Sequence, residues 1–125
     1  MCAAICRAIA RKADVRVILE AADPDPSGGG YNNLLSIAPE VRDGAQFYHW
    51  PSGSRPKDPK GKPGILHVKC LVSDSRRLFL SSANLTEHAF TRNMELGILI
   101  TGTELPEQVE RHFDELIASR RLLRV

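Results

Sequence analysis

This chain has little cysteine, no long apolar run and no strong excess of one charge, and each shortage removes a class of protein. Three cysteines in 125 residues cannot build the disulfide framework of a small secreted domain. Cys2 and Cys6 stand four apart, on one face of a predicted helix, with no second ligand pair at zinc spacing; they read as small apolar helix residues. Cys70 lies within an apolar stretch and reads as core. No apolar run approaches the roughly 18 residues of a membrane span. Met1–Arg11 has some of a signal peptide's apolarity, but Arg7, Arg11 and Lys12 interrupt it and no small-residue cleavage site follows. A cytoplasmic location without membrane attachment is the expectation. Seventeen Lys and Arg against fifteen Asp and Glu leave a net charge of only +2, so affinity for a polyanion must come from a local patch. Internal repeats are absent too.

What remains is an ordinary globular composition, 42% hydrophobic and 26% charged, with room for one domain over residues 1–125. Ile5 and Ile9, one turn apart among alanines, predict a helix over 2–12. Val15–Leu19 and Ala45–Trp50 predict strands, and Asn33–Ala38 one or two helical turns. Asp23–Gly30, with two prolines and three consecutive glycines, is loop. Pro51–Gly64 is a second loop, in which Arg55, Lys57, Lys60 and Lys62 face a single Asp58. It reads either as a solvated surface loop or as a phosphate-facing rim. Beyond it, Ile65–Ser73 predicts a strand, Asp74–Arg77 a turn, Leu78–Ser82 the partner strand, Leu85–Thr91 a helical turn and Glu95–Thr101 another strand. Val109, His112, Phe113, Leu116 and Ile117 follow helical spacing, with Pro106 near the start. Strands interleaved with helices indicate an α/β protein with a mixed sheet layered by helices.

Within Ile65–Val72 every residue is apolar except His67 and Lys69. Two ionisable groups in such a run are costly to desolvate unless they face a polar cleft or an anionic ligand. On a strand they would share one face, with Leu66, Val68, Cys70 and Val72 buried on the other. Ser82 and Asn84 repeat the i, i+2 spacing. Antiparallel pairing through the turn at Asp74–Arg77 would bring hydroxyl and amide toward imidazole and ammonium. Such a set can bind a tetrahedral oxyanion and leaves the imidazole to attack or to move protons. His49, His88 and His112 have no partner at useful spacing and read as surface or core.

These residues form a recognisable pattern. His67-x-Lys69, four residues, Asp74, six residues, then Ser81-Ser82-Ala83-Asn84 resembles the HxKx4Dx6GSxN signature of the phospholipase D superfamily. Five of six defined positions match, with a chance probability on the order of 10⁻⁵ from average residue frequencies; the sixth, a glycine in the family, is Ser81. Glu95 falls where the family places a carboxylate that pairs with an active-site histidine. The resemblance covers Ala13 to about Gly102 and implies a sandwich of a mixed sheet between helices. It also implies a chemistry free of metal and cofactor. His67 attacks phosphorus to give a phosphohistidine, and a second histidine protonates the leaving oxygen and then activates water. Lys69 and Asn84 neutralise the equatorial oxygens, and Ser82 adds a hydrogen bond. Glu95 fixes a histidine tautomer, and Asp74 serves either the site or the turn.

The family's chemistry uses two such motifs and this sequence has one, so the expected second histidine is His67 of another copy in a homodimer with the active site at its interface. Family domains usually open with a strand before the first helix, whereas Met1 here stands within that helix, so the expectation is either a fragment or a shortened member. Small single-motif members are commonly nucleases, and the cations at 55–62 suit DNA. The stretches ILHVKCLVSD and SSANLTEHAFTRNMELGILI are also similar to the phospholipase D-like component of the DISARM phage-defence system, which would make other defence proteins its partners. Two rival readings stand beside the nuclease: a phospholipid-cleaving or phosphatidyl-transferring enzyme, and a non-catalytic module that binds nucleic acid.

Overall fold

A computed structural model describes residues 2–20, 37–83 and 93–125. In chain order the elements are α1 (Cys2–Ala10), β1 (Arg16–Leu19), α2 (Pro39–Gly44), β2 (Gln46–His49), a short 3₁₀ turn (Ser52–Ser54), β3 (Cys70–Ser73), β4 (Arg77–Ser81), β5 (Gly97–Thr101), α3 (Leu105–Ala118) and β6 (Leu123–Arg124). They group into two compact units, Met1–Leu66 with Ser119–Val125, and His67–Ala118. The α/β class with a mixed sheet, expected from the sequence, is what forms. The loop at Asp23–Gly30 and the turns at 33–36 and 85–91 fall outside the described residues.

In the first unit β2 is the central strand. It runs parallel to β1, from Arg16 opposite Gln46 to Leu19 opposite His49, and antiparallel to β6. Both Phe47 and Tyr48 are buried although they point to opposite faces, as in a strand whose sheet is covered on both faces. Val41 of α2 and Leu122 complete this core. α2, which the sequence reading did not anticipate, begins with Pro39, whose missing N–H costs nothing in a first turn. It packs on α1 closely enough that a Cβ at Gly44 would sit 2.4 Å from Ile9 Cγ2.

The loop Pro51–Gly64 is more ordered than its composition suggested. Asp58 accepts hydrogen bonds from the backbone N–H groups of Lys60 (2.9 Å) and Lys62 (2.8 Å), and Lys57 bridges to Pro63. Its anchor is Arg55, a buried charged residue of the first unit. The guanidinium donates to the Trp50 and Gly64 carbonyls and pairs with Glu20, and it lies 5.3 Å from the centroid of the Trp50 ring. The second Glu20 oxygen accepts the N–H of Leu66 at 2.9 Å.

The second unit is an antiparallel meander, β3-β4-β5. Leu78, between Val72 and Ile100 in register, is fully buried at 1% exposure, and α3 lies against all three strands. Val109, Phe113, Leu116 and Ile117 are half-buried on α3, as its periodicity predicted, and so is Glu110, whereas His112 is exposed. The opposite sheet face carries Leu71, Phe79 and Leu99 in one row, each more than a third exposed. On the same face a Cβ at Gly97 would meet the tip of the Phe79 ring at 2.6 Å, so glycine is what lets that ring lie across the neighbouring strand.

The predicted strand Ile65–Ser73 is corrected to Cys70–Ser73. Extended backbone needs a ladder partner to become a strand, and Leu66 N–H is taken by a carboxylate instead. Ile65 and Val68 are 61% and 57% exposed, so Val68 does not form the buried face expected opposite His67 and Lys69.

Candidate phosphodiester site

The β3–β4 hairpin joins the two halves of the motif. Its register extends one step past β3, where Ser81 N–H donates to the Lys69 carbonyl at 3.0 Å. On the far side, Ser82 N–H donates to the Leu96 carbonyl, also at 3.0 Å, next to Glu95. Three chain segments therefore meet at one end of the sheet, bearing Lys69, Ser82 and Glu95. His67, two residues before Lys69, is exposed, and the lysine ammonium donates to the His67 carbonyl at 3.1 Å.

Glu95 is the hub of the polar contacts. Its Oε2 accepts from Ser82 Oγ at 2.5 Å and its Oε1 from Asn93 Nδ2 at 3.1 Å. The Ser82 hydroxyl foremost, then the Asn93 amide, hold the carboxyl below the ordinary carboxylate range; slight desolvation opposes them, and the Lys69 charge adds the least. Ser82 Oγ in turn accepts the N–H of Leu96 at 3.1 Å. Beside these groups lies an open hollow of about 290 Å³ whose lining includes Phe79, Ser81, Asn93, Glu95 and Gly97. Ser81, at the family's glycine position, is accommodated locally: its Oγ accepts from Ala83 N–H at 3.0 Å.

Several expectations change. Asp74 sits in the hairpin turn, with Asp74 and Ser75 at φ 54° and 53°, a left-handed conformation that Asp tolerates better than most residues. Its carboxylate accepts from Ser73 Oγ at 2.9 Å. Five steps of extended chain separate it from Lys69, about 16 Å at 3.3 Å per residue, so of the two readings the sequence left open it is the turn that the structure supports. Arg55, expected among the cations facing a polyanion, is corrected to a buried structural residue, since its donors are spent on Trp50, Gly64 and Glu20. Lys57, Lys60 and Lys62 are exposed. Asn84 lies outside the described residues, as does His88. Among the described residues His67 and Glu95 form no hydrogen bond with each other; the carboxylate's partners are Ser82 and Asn93. Asn93 was missed from the sequence, where its only signal is its position two residues before Glu95. Glu20 was missed too, being a single acidic residue after a strand.

The meander of this α/β chain thus gathers Lys69, Ser82 and Glu95 at one end of its sheet. Comparison with known proteins gives the family. The family model for the cardiolipin synthase, PLD-like domain matches residues 1–117, and the chain belongs to this phospholipase D-like superfamily of phosphodiesterases. It is similar to cardiolipin synthase A of Pseudomonas syringae pv. syringae (strain B728a), 30% identical over 108 residues, 86% of this chain and 20% of the relative. It is also similar to an envelope protein F13 homolog of Molluscum contagiosum virus subtype 2, 38% identical over 68 residues, 53% of this chain and 18% of the relative. The chain thus spans about a fifth of the length of these curated relatives. Among solved structures, NucT from Helicobacter pylori superposes with a TM-score of 0.68 at 21% identity, covering 94% of this chain and 70% of that one, a likeness of fold. No described helix is long and apolar enough to cross a membrane.

Proposed function

We propose that this protein is a metal-independent phosphodiesterase acting through a phosphohistidine, and that its substrate is nucleic acid, with DNA favoured. The observation that carries the reading is the hairpin register, which holds Ser81 against Lys69 and Ser82 against Leu96, so that the two halves of the motif share one end of a sheet. The His67 imidazole forms a bond to phosphorus as the bond to the leaving oxygen breaks. A second histidine gives that oxygen its proton, then takes one from the water that attacks phosphorus and releases His67. Lys69 and Asn84 offset the charge that grows on the equatorial oxygens. Lys57, Lys60 and Lys62 suit the sequence-independent attraction of a phosphate backbone. With one motif per chain, the second histidine is that of another copy, in a homodimer with the site on its axis. A role in phage defence beside other proteins of the DISARM system is part of the proposal and rests on the sequence resemblance alone.

A second reading, phosphatidyl transfer or phospholipid cleavage, is favoured by the names of the matching family model and of the Pseudomonas relative. The test is incubation with single- and double-stranded DNA, RNA and anionic vesicles in excess EDTA, beside a His67→Ala control. DNA cleavage lost in the control carries the nuclease reading. Headgroup release from vesicles with intact nucleic acids carries the second. Activity that needs added Mg²⁺ or Zn²⁺ overturns both.

A further inference from the structure

We infer that Ser82 and Asn93 are positioning residues that clamp the Glu95 carboxylate from its two sides, and that Ser82 does not itself grip the phosphate. The inference rests on the phosphodiesterase reading of this site and assigns its residues more finely.

A serine hydroxyl has one proton to donate and lone pairs to accept with. At Ser82 both capacities are engaged. The proton goes to Glu95 Oε2 at 2.5 Å, because an ionised carboxylate can only accept. A lone pair receives Leu96 N–H at 3.1 Å. A phosphate oxygen arriving at Ser82 would therefore meet oxygen lone pairs, unless the short bond to Glu95 were broken first. Charge-assisted bonds of this kind are about twice as strong as neutral ones, so breaking it to make an equivalent bond to phosphate gains little.

Asn93 completes the clamp from the other side. Its Nδ2 donates to Glu95 Oε1 at 3.1 Å, so each carboxylate oxygen is held by a different donor and the plane of the group is fixed. An ionised carboxylate has about four acceptor positions. Two are filled by described residues, Ser82 and Asn93, which leaves each oxygen capacity for a further N–H, such as that of an imidazole in the assembled site. Lys69 is the charged residue that acts on Glu95 among the described residues, and its influence is the smallest of those that lower the carboxyl. The clamp is therefore made mainly of neutral hydrogen-bond donors, which keeps the lysine charge for the substrate. Glu95 and Asn93 are both exposed, so cutting Asn93 back should not disturb the core.

The test separates clamp from phosphate ligand with two measurements that do not require turnover. First, the Glu95 side-chain carboxyl is titrated by carbon NMR in the full chain. Ser82→Ala and Asn93→Ala should each raise its midpoint toward the ordinary carboxylate value, Ser82→Ala more, while Ser82→Thr, which keeps the hydroxyl, restores it. Second, inorganic phosphate affinity is measured at neutral pH. Both alanine variants should bind phosphate within about twofold of wild type, whereas Lys69→Ala should weaken it by about tenfold or more, as loss of a charged donor does. A Glu95 midpoint unmoved in both variants overturns the clamp. Phosphate binding weakened tenfold by Ser82→Ala alone overturns the reassignment and returns Ser82 to the phosphate. If wild type binds no phosphate and cleaves no phosphodiester, the functional reading fails, and the carboxyl titration still decides the clamp.

Discussion

Replacing Arg55 with alanine should destabilise the protein by about 3 kcal/mol without removing a nucleic-acid contact. The side chain is 4% exposed, so water cannot readily replace its bonds. Its Nε donates to the Trp50 carbonyl at 2.9 Å and its Nη1 to the Gly64 carbonyl at 3.0 Å. Losing a charged donor at two such carbonyls costs about 1.5 kcal/mol each, the low end for bonds to an ionised group. The Trp50 ring 5.3 Å away adds roughly 0.5 kcal/mol. The ion pair adds little more, since Glu20 is 38% exposed and keeps the Leu66 N–H. Arg55→Lys keeps the charge but cannot span both carbonyls and Glu20, and should recover less than half of the loss. Urea unfolding followed by circular dichroism would read the effect as a midpoint about 2 M lower, at an m-value of about 1.5 kcal/mol/M. DNA binding measured against salt is the second arm. The folded Arg55→Ala protein should keep the wild-type salt slope, whereas changing Lys57, Lys60 and Lys62 together to alanine should flatten it by up to about three units. A stability change under about 0.5 kcal/mol, the usual range for surface substitutions, with a flattened salt slope would refute this account and put Arg55 back among the phosphate contacts.

Other outcomes follow from the same geometry. His67→Ala should abolish phosphodiester cleavage while leaving the urea midpoint near wild type, because the side chain is exposed. Lys69→Ala should lose at least ~2.7 kcal/mol of transition-state stabilisation, about a hundredfold in kcat, as removal of one oxyanion donor does. Mixing wild-type and His67→Ala subunits under free exchange should reduce activity as the square of the wild-type fraction, leaving roughly a quarter at equal mixing if the site needs two copies; a linear fall would mean that each chain works alone. Gly97→Ala should cost about 1–3 kcal/mol, since the new Cβ would lie 2.6 Å from the Phe79 ring tip. Phe79→Leu in the same background should recover most of that in thermal unfolding.

Much of this protein was legible in one dimension because local rules decide it. Hydrophobic periodicity placed α1, β1, β2, β5 and α3 within a few residues of where they form, and the spacing from His67 to Asn84 marked the chemistry. Both kinds of signal are readable in one dimension because period and spacing are set by backbone geometry, which the sequence encodes directly. The tertiary structure decided which partners those residues find. Arg55 looked like one cation among four, and it is buried because Glu20, 35 positions earlier in sequence, and two carbonyls converge on it. His67 and Lys69 read as strand residues, but strand needs a neighbour, and Leu66 N–H had already gone to Glu20. Asp74 matched a motif position and was drawn into a turn, because a hairpin carries its tip away from its open end. Ser82 and Asn93 became a clamp only when β4 and β5 paired and set Leu96 and Glu95 beside them. Spacing along the chain fixes which groups are available; the long-range pairing of strands fixes where each proton and each charge is spent, since a hydrogen bond depends on distances that no local pattern contains.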